Sequence, residues 1–246
     1  SSTSRGLGDV YKRQIFMILL FIGILLGIGC IRFKESLPAE KRSKTGVWAT
    51  FRSFGIIVHN RRYMLYVFQL AFAQGILFAY IASSPFIIQQ HYGFSPFAFS
   101  ICFAVNAVAI GVAAALSVKF RRTENGTLTG CVGMLVFAVL QMAALYSGCG
   151  FWTYELLMFA LLFMMGLTFT ASTTLAMDCE RRYAGAASAL LGALCFASGG
   201  IVSPLVGLGD ILISTGVTFV ICAVCSLLCA LWAVKRTGPK VALCRI

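Results

Sequence analysis

Where this chain carries its positive charge allows it only one way through a membrane. Seven apolar stretches, at roughly 15–33, 63–88, 98–119, 127–147, 152–177, 184–208 and 213–235, are each long enough to cross a bilayer as an α-helix. The gaps between them alternate in charge. The first gap holds Arg32, Lys34, Lys41, Arg42, Lys44, Arg52, Arg61 and Arg62. The third holds Lys119, Arg121 and Arg122, the fifth Arg181 and Arg182, and the tail Lys235, Arg236, Lys240 and Arg245. The second, fourth and sixth gaps hold no Lys or Arg. Basic side chains are retained on the cytoplasmic side, so the pattern predicts a cytoplasmic C-terminus and an outer start to the first span. A backbone in lipid must satisfy its own polar groups, which makes the predicted fold all-α, integral to the membrane, with seven transmembrane helices.

Of the 20 Lys and Arg residues only Arg5, Lys12 and Arg13 break the alternation. They lie in residues 1–14, SSTSRGLGDVYKRQ, a polar Gly/Ser-containing segment that gives way abruptly to apolar sequence at Ile15. One reading is a short outer tail. The expectation adopted is a non-native leader, similar to adapter or vector sequence, which would make the remainder a fragment cut upstream of Ile15.

Composition excludes most other classes. With 59% hydrophobic and 11% charged residues the chain does not suit a soluble globule. The net charge of +12 would suggest nucleic acid in a soluble protein. Here it sits in loops that meet anionic headgroups, so the expected partner is the lipid bilayer and no nucleic acid. The ten cysteines lie mostly inside spans, and Cys222, Cys225 and Cys229 share a face of the last span without a His or carboxylate beside them. They read as small polarizable packing residues, and no metal or cofactor is expected.

The spans differ in character. The first and last are apolar nearly all round, as lipid-facing helices are. In the second, Gln69, Ala73, Ile76, Tyr80 and Ser83 share one helical face. In the fifth, Gly166, Thr170 and Thr173 do so, with Thr168, Ser172 and Thr174 nearby. Polar stripes on membrane helices need partners or water, so these should face a cavity or another helix. The third span carries the small-residue row Ala107, Gly111, Ala115, and the sixth carries Gly185, Ala189, Ala193. Such rows let helix backbones approach closely. Gln141, in the fourth span, is assigned to contacts within its helix or with a neighbour. The gap at 34–62 is long, and Trp48, Phe51, Phe54 and Val58 recur in it at helical spacing, with Lys44, Arg52 and His59 on the polar side. This predicts a short amphipathic helix in the cytoplasmic interface.

The stretch Phe78 to Ala107, with Ser83-Ser84-Pro85, the outer turn Gly93-Phe94-Ser95-Pro96 and Asn106, is the most specific. Pro85 removes a backbone donor and frees the carbonyl one turn earlier, a kink that nearby hydroxyls can help satisfy. Together with Glu35-Ser36-Leu37-Pro38 and the run Gly185 to Gly192, this stretch resembles the Bcr/CflA group of drug exporters, within the major facilitator superfamily. The resemblance covers 15–235. It implies a twelve-helix protein in two halves, of which this chain would hold helices six to twelve: helix six at 15–33, the inter-half loop at 34–62, a six-helix bundle at 63–235 and a cytoplasmic tail at 236–246. It implies the bacterial inner membrane, and export of small, amphipathic, drug-like compounds in exchange for protons, with the proton gradient as energy source. By the same resemblance Gln69, Phe72, Tyr80, Ser84, Asn106, Met165, Thr170 and Thr173 are the cavity contacts. No catalytic residue is implied, and the protein is not expected to be an enzyme.

Proton coupling needs a carboxylate within the membrane. Glu155 is placed in the first turn of its helix, where the macrodipole favours negative charge, and Asp178 and Asp210 at span ends; all three read as interface or capping residues. The family's coupling acids generally lie in the N-terminal half, so the chain is not expected to transport without that missing half. Two alternatives stand beside this reading. A complete seven-helix receptor or photoreceptor fits the topology, but 213–234 contains no Lys for retinal, and Lys119-Phe120-Arg121 stands where a receptor carries its acidic-Arg-Tyr pattern. A facilitator importing a neutral nutrient is the other.

Overall fold

In a computed structural model of the chain, residues 2–32 and 47–235 are described, with side chains from 13–32 and 53–235. Lys34, Glu35 to Pro38, Lys41, Arg42 and Lys44 of the inter-half loop lie outside the described residues, as does the tail 236–246. The side chains of Trp48, Phe51 and Arg52 do too. The chain divides into two compact units, Ser1–Thr45 and Gly46–Ile246.

The first unit holds one helix, α1 (Ser2–Arg32). It runs through the polar residues into the apolar stretch without a break at Ile15, so the helix starts earlier than the onset of hydrophobicity suggests. Residues 2–32 contain no Pro, and extending an existing helix is far easier than nucleating one.

The second unit contains α2 (Val47–His59), α3 (Arg61–Pro85), a π-helical segment (Phe86–His91), α4 (Pro96–Ser117), α5 (Thr123–Tyr146), α6 (Phe151–Cys179), a 3₁₀ turn (Arg181–Tyr183), α7 (Ala184–Val206) and α8 (Ile211–Lys235). Among the described residues seven helices are long and apolar enough to span a membrane, α1 and α3 to α8, matching the seven stretches read from sequence. Their ends follow local chemistry. Asn60 separates α2 from α3, its Oδ1 accepting from the N–H groups of Arg62 and Tyr63 at 3.2 and 3.3 Å. Ser95 caps α4, with Pro96 in its first turn where the absent N–H costs nothing. Asp210 caps α8 through Leu212 N at 2.8 Å. Asp210 thus takes the capping place expected of it, and Asp178 pairs at the surface with Arg181 at 2.9 Å.

Within the bundle α3 is central, packing against α6, α7 and α8, while α6 also packs against α4 and α5, and α5 against α8. Two glycines set the closest approaches. A Cβ on Gly130 of α5 would stand 2.8 Å from Thr168 N and 2.9 Å from Met164 O of α6. One on Gly166 of α6 would stand 2.5 Å from Ile110 O of α4. Gly166, read from sequence as part of a polar stripe, is therefore where two backbones meet.

The two small-residue rows do the opposite of packing inside this chain. Ala107, Gly111 and Ala115 of α4 are all exposed, and of the α7 row Gly185, Ala189 and Ala193 are exposed. Added Cβ atoms at Gly111 and Gly185 would meet nothing within 4 Å.

Helix α2 forms as expected, but its buried residue is Ile57, which is fully covered, while Val58 is 48% exposed. The apolar line drawn through Val58 is off by one position, because Ile57 packs into a cluster with Tyr63, Tyr66, Leu191 and Ala233 that sequence spacing within α2 alone does not reveal. At this end of the bundle Asn60 Nδ2 donates to Glu180 Oε1 at 2.6 Å and Cys179 O at 3.5 Å. Tyr63 OH donates to Ala187 O at 2.6 Å, and Arg62 reaches Glu124 at 3.8 Å. Asn60 thus caps one helix and holds the end of another. Asn60→Ala is expected to cost about 1–2 kcal/mol, as loss of an N-cap does. Thermal unfolding in detergent checks it; an unchanged midpoint would show that the cap is dispensable.

At the other end Pro85 terminates regular α3. The Ser83 hydroxyl donates to Ala79 O at 2.9 Å rather than to the Ile81 carbonyl that Pro85 frees, and Ser84 Oγ makes no bond to that carbonyl either. The expected hydroxyl repair of the kink is therefore absent. The ladder instead widens, with Tyr92 N donating to Ile87 O at 3.0 Å across five residues.

Candidate functional site

Two separate nodes of polar side chains join the spans. Gln69 and Tyr80 share a face of α3 but stand eleven residues apart, about 16 Å along the axis.

The node around Gln69 is packed shut. Gln69 is fully buried, and its Nε2 lies 3.2 Å from both Thr168 Oγ1 and Ser226 Oγ and 3.4 Å from Cys131 Sγ. The hydroxyls spend their own protons on carbonyls: Thr168 on Thr127 O and Ser226 on Gln69 O, each at 3.2 Å. Both therefore present lone pairs to Gln69, which fixes the amide with its NH₂ inward. Ser172 Oγ extends the chain to Thr127 Oγ1 at 3.1 Å. Side chains from α3, α5, α6 and α8 are thus tied together, and the Thr168–Ser172 part of the polar stripe faces other helices. Gln69→Leu is expected to destabilise by about 1 kcal/mol, the scale of polar contacts between membrane helices. Unfolding in a graded detergent series measures it; a loss of several kcal/mol would mean that the node carries more than these bonds.

The second node joins α3, α4 and α6. Asn106 is 1% exposed and Tyr80 1% exposed. Asn106 Nδ2 donates to Tyr80 OH at 3.1 Å and to Glu155 Oε1 at 2.8 Å. The Tyr80 ring stacks on Phe103 with centroids 5.8 Å apart. Ser84, one turn along α3 from Tyr80, is buried, and so is Tyr154 beside Glu155. Four polar atoms here are buried without a hydrogen-bond partner: Glu155 Oε2, Asn106 Oδ1, Ser84 Oγ and Tyr154 OH.

Glu155 is the residue that sequence reasoning set aside. Helix α6 begins at Phe151, so Glu155 is its fifth residue, past the first turn and turned toward α4. A carboxylate within a span therefore exists in this chain. The signal was present: Glu155, Met158, Leu162 and Met165 follow a helical stripe, and the last three are buried. Of the other cavity candidates, Met165 is in the main core cluster. Phe72, Thr170 and Thr173 are half-buried, with Thr173 Oγ1 donating to Phe169 O of its own helix at 2.8 Å. The structure thus brings Tyr80, Ser84 and Asn106 together and leaves Gln69 in the other node. Gln141 is fully buried but neither its nitrogen nor its oxygen has a partner, so the contacts assigned to it do not include a hydrogen bond.

Comparison with known proteins decides the family of this six-span bundle. The sequence model of the Major Facilitator Superfamily matches residues 7–204. The chain belongs to the major facilitator superfamily. It is also 36% identical over 201 residues to the uncharacterized MFS-type transporter YdgK of Bacillus subtilis (strain 168), an alignment covering 80% of this chain and 50% of that protein. The chain thus spans about half the length of this curated relative. Membership of a family of membrane transporters leaves no place for the seven-helix receptor reading.

Proposed function

We propose that this chain is the C-terminal part of a major facilitator that exports small amphipathic compounds in exchange for protons, of the kind the Bcr/CflA group performs, and that it acts only with a second helical bundle. The observation that carries this is the pair of small-residue rows on α4 and α7. Both are exposed, and at Gly111 and Gly185 an added Cβ meets nothing. A face of Ala and Gly at four-residue spacing is suited to close backbone approach by another helix, and nothing in these six helices uses it. A second bundle on this face would create the central cavity around which two halves rock to alternate access. The node of Tyr80, Asn106 and Glu155 would supply polar contacts to that cavity, with Phe72, Thr170 and Thr173 as further contacts. In this reading the basic ends of the helices lie in the cytoplasm of a bacterial cell, and the C-terminus with them.

The test is export of ethidium from proteoliposomes with an imposed pH gradient. The chain joined to the bundle-forming part of YdgK that it does not cover should export the dye and stop when the gradient is collapsed. Export that ignores the gradient would remove the proton from the mechanism.

A further inference from the structure

We propose that Glu155, Asn106 and Ser84, walled by the rings of Tyr80 and Tyr154, form a binding site for a protonated amine, so that cationic amphipathic compounds are the substrates of the transport reading, on which this assignment rests. The hydrogen-bond inventory is the reason. Asn106 spends both amide protons, on Tyr80 OH at 3.1 Å and on Glu155 Oε1 at 2.8 Å. With Glu155 ionised, the Asn106 amide keeps this orientation, because reversal would set Oδ1 against a carboxylate oxygen. Two acceptors of the node, Glu155 Oε2 and Asn106 Oδ1, are buried without a donor. Ser84 Oγ, beside the Tyr80 hydroxyl, and Tyr154 OH are equally buried and keep lone pairs that can accept.

With Glu155 ionised, a ligand that satisfies this set brings donors and a positive charge. The ion pairs among the described residues are Arg62 with Glu124 and Arg181 with Asp178, so Glu155 has no cation within ion-pair distance. A water molecule offers two donors and leaves the charge unbalanced, whereas an ammonium offers three donors and balances it. The surroundings suit the organic part of such a ligand. Tyr80 stacks on Phe103, which in turn lies 5.9 Å from Phe99, and Tyr154 lies 5.7 Å from Tyr92, centroid to centroid. Aromatic faces attract cations and accept apolar bodies of many shapes. Glu155 as a whole is half-buried, while its Oε2 and the side chains of Asn106, Tyr80, Ser84 and Tyr154 are buried.

The experiment is equilibrium binding to the full chain in lipid nanodiscs, with empty nanodiscs as the partition control. The probes are 4-phenylbutylamine and its neutral analogue 4-phenylbutanol. The amine should bind at least tenfold more tightly than the alcohol, and Glu155→Gln should remove that difference while leaving alcohol binding unchanged. Ser84→Ala, a change too small to unfold the bundle, should weaken the amine severalfold. Equal affinity for the two probes, an amine preference that survives Glu155→Gln, or no binding of either would each overturn the assignment. Amine binding that ignores Glu155 would sink the amine site and leave the transport reading standing. Failure of gradient-driven export with amine binding intact would do the reverse.

Discussion

Gly130→Val should damage the bundle severely. The added Cβ alone would stand 2.7 Å from Thr168 Cβ, 2.8 Å from Thr168 N and 2.9 Å from Met164 O, and two of those three atoms are backbone of α6. A flexible side chain could swing aside; a helix backbone cannot. The γ-methyl groups make relief by rotation harder still. Overpacking in a well-filled interior costs about 1–3 kcal/mol, and with backbone on the far side the upper end is expected. The displacement also acts on Thr168, which accepts from Gln69 Nε2 and donates to Thr127 O, so the polar node would loosen together with the helix contact. Gly185→Val is the matched control, since an added Cβ there meets nothing within 4 Å. Thermal unfolding in detergent should show a large fall for Gly130→Val and almost none for Gly185→Val. Equal behaviour of the two would mean that α5 and α6 are not packed as described.

The second large effect is expected where stability does not change at all. Gly111→Phe and Ala189→Phe place a large ring on exposed positions of α4 and α7. In lipid such a ring is well accommodated, so the chain's own unfolding should shift by no more than about 0.5 kcal/mol, the usual range for surface changes. Against a second bundle the same ring holds two backbones apart. Export by the joined protein should therefore fall at least tenfold while the chain alone remains as stable as before. Activity that survives both substitutions would show that these rows face lipid, and the seam would have to be sought elsewhere.

Most of the fold was legible because the bilayer reduces the choices. Once seven apolar stretches and their basic gaps were located, helices were the only spanning structure available and their order followed. The ends were less so. Helix α1 runs on through residues 2–14 because nothing in them stops a helix, although their polarity marked a boundary. Ile57 rather than Val58 is buried because α2 meets a cluster built from α3, α6, α7 and α8, contacts that no spacing rule within α2 encodes. The site was half legible. Tyr80, Ser84 and Asn106 were singled out as polar groups in apolar helices, and they do meet. Gln69 carries the same signal yet closes a packed node, because Thr168 and Ser226 reach it from helices far away in sequence. Glu155 was set aside because a carboxylate near a helix start has an ordinary explanation in the macrodipole. The position of Asn106 on α4, 2.8 Å from its Oε1, shows that it belongs to the interior, as the stripe with Met158, Leu162 and Met165 indicates.

The central claim is that this bundle is one of two that must work together. The most direct measurement is dye export driven by a pH gradient in proteoliposomes holding the chain alone, beside vesicles holding it joined to the remaining half of YdgK. The account predicts gradient-dependent export of ethidium from the joined protein and none from the chain alone. Gradient-dependent export by residues 1–246 without a partner would contradict it.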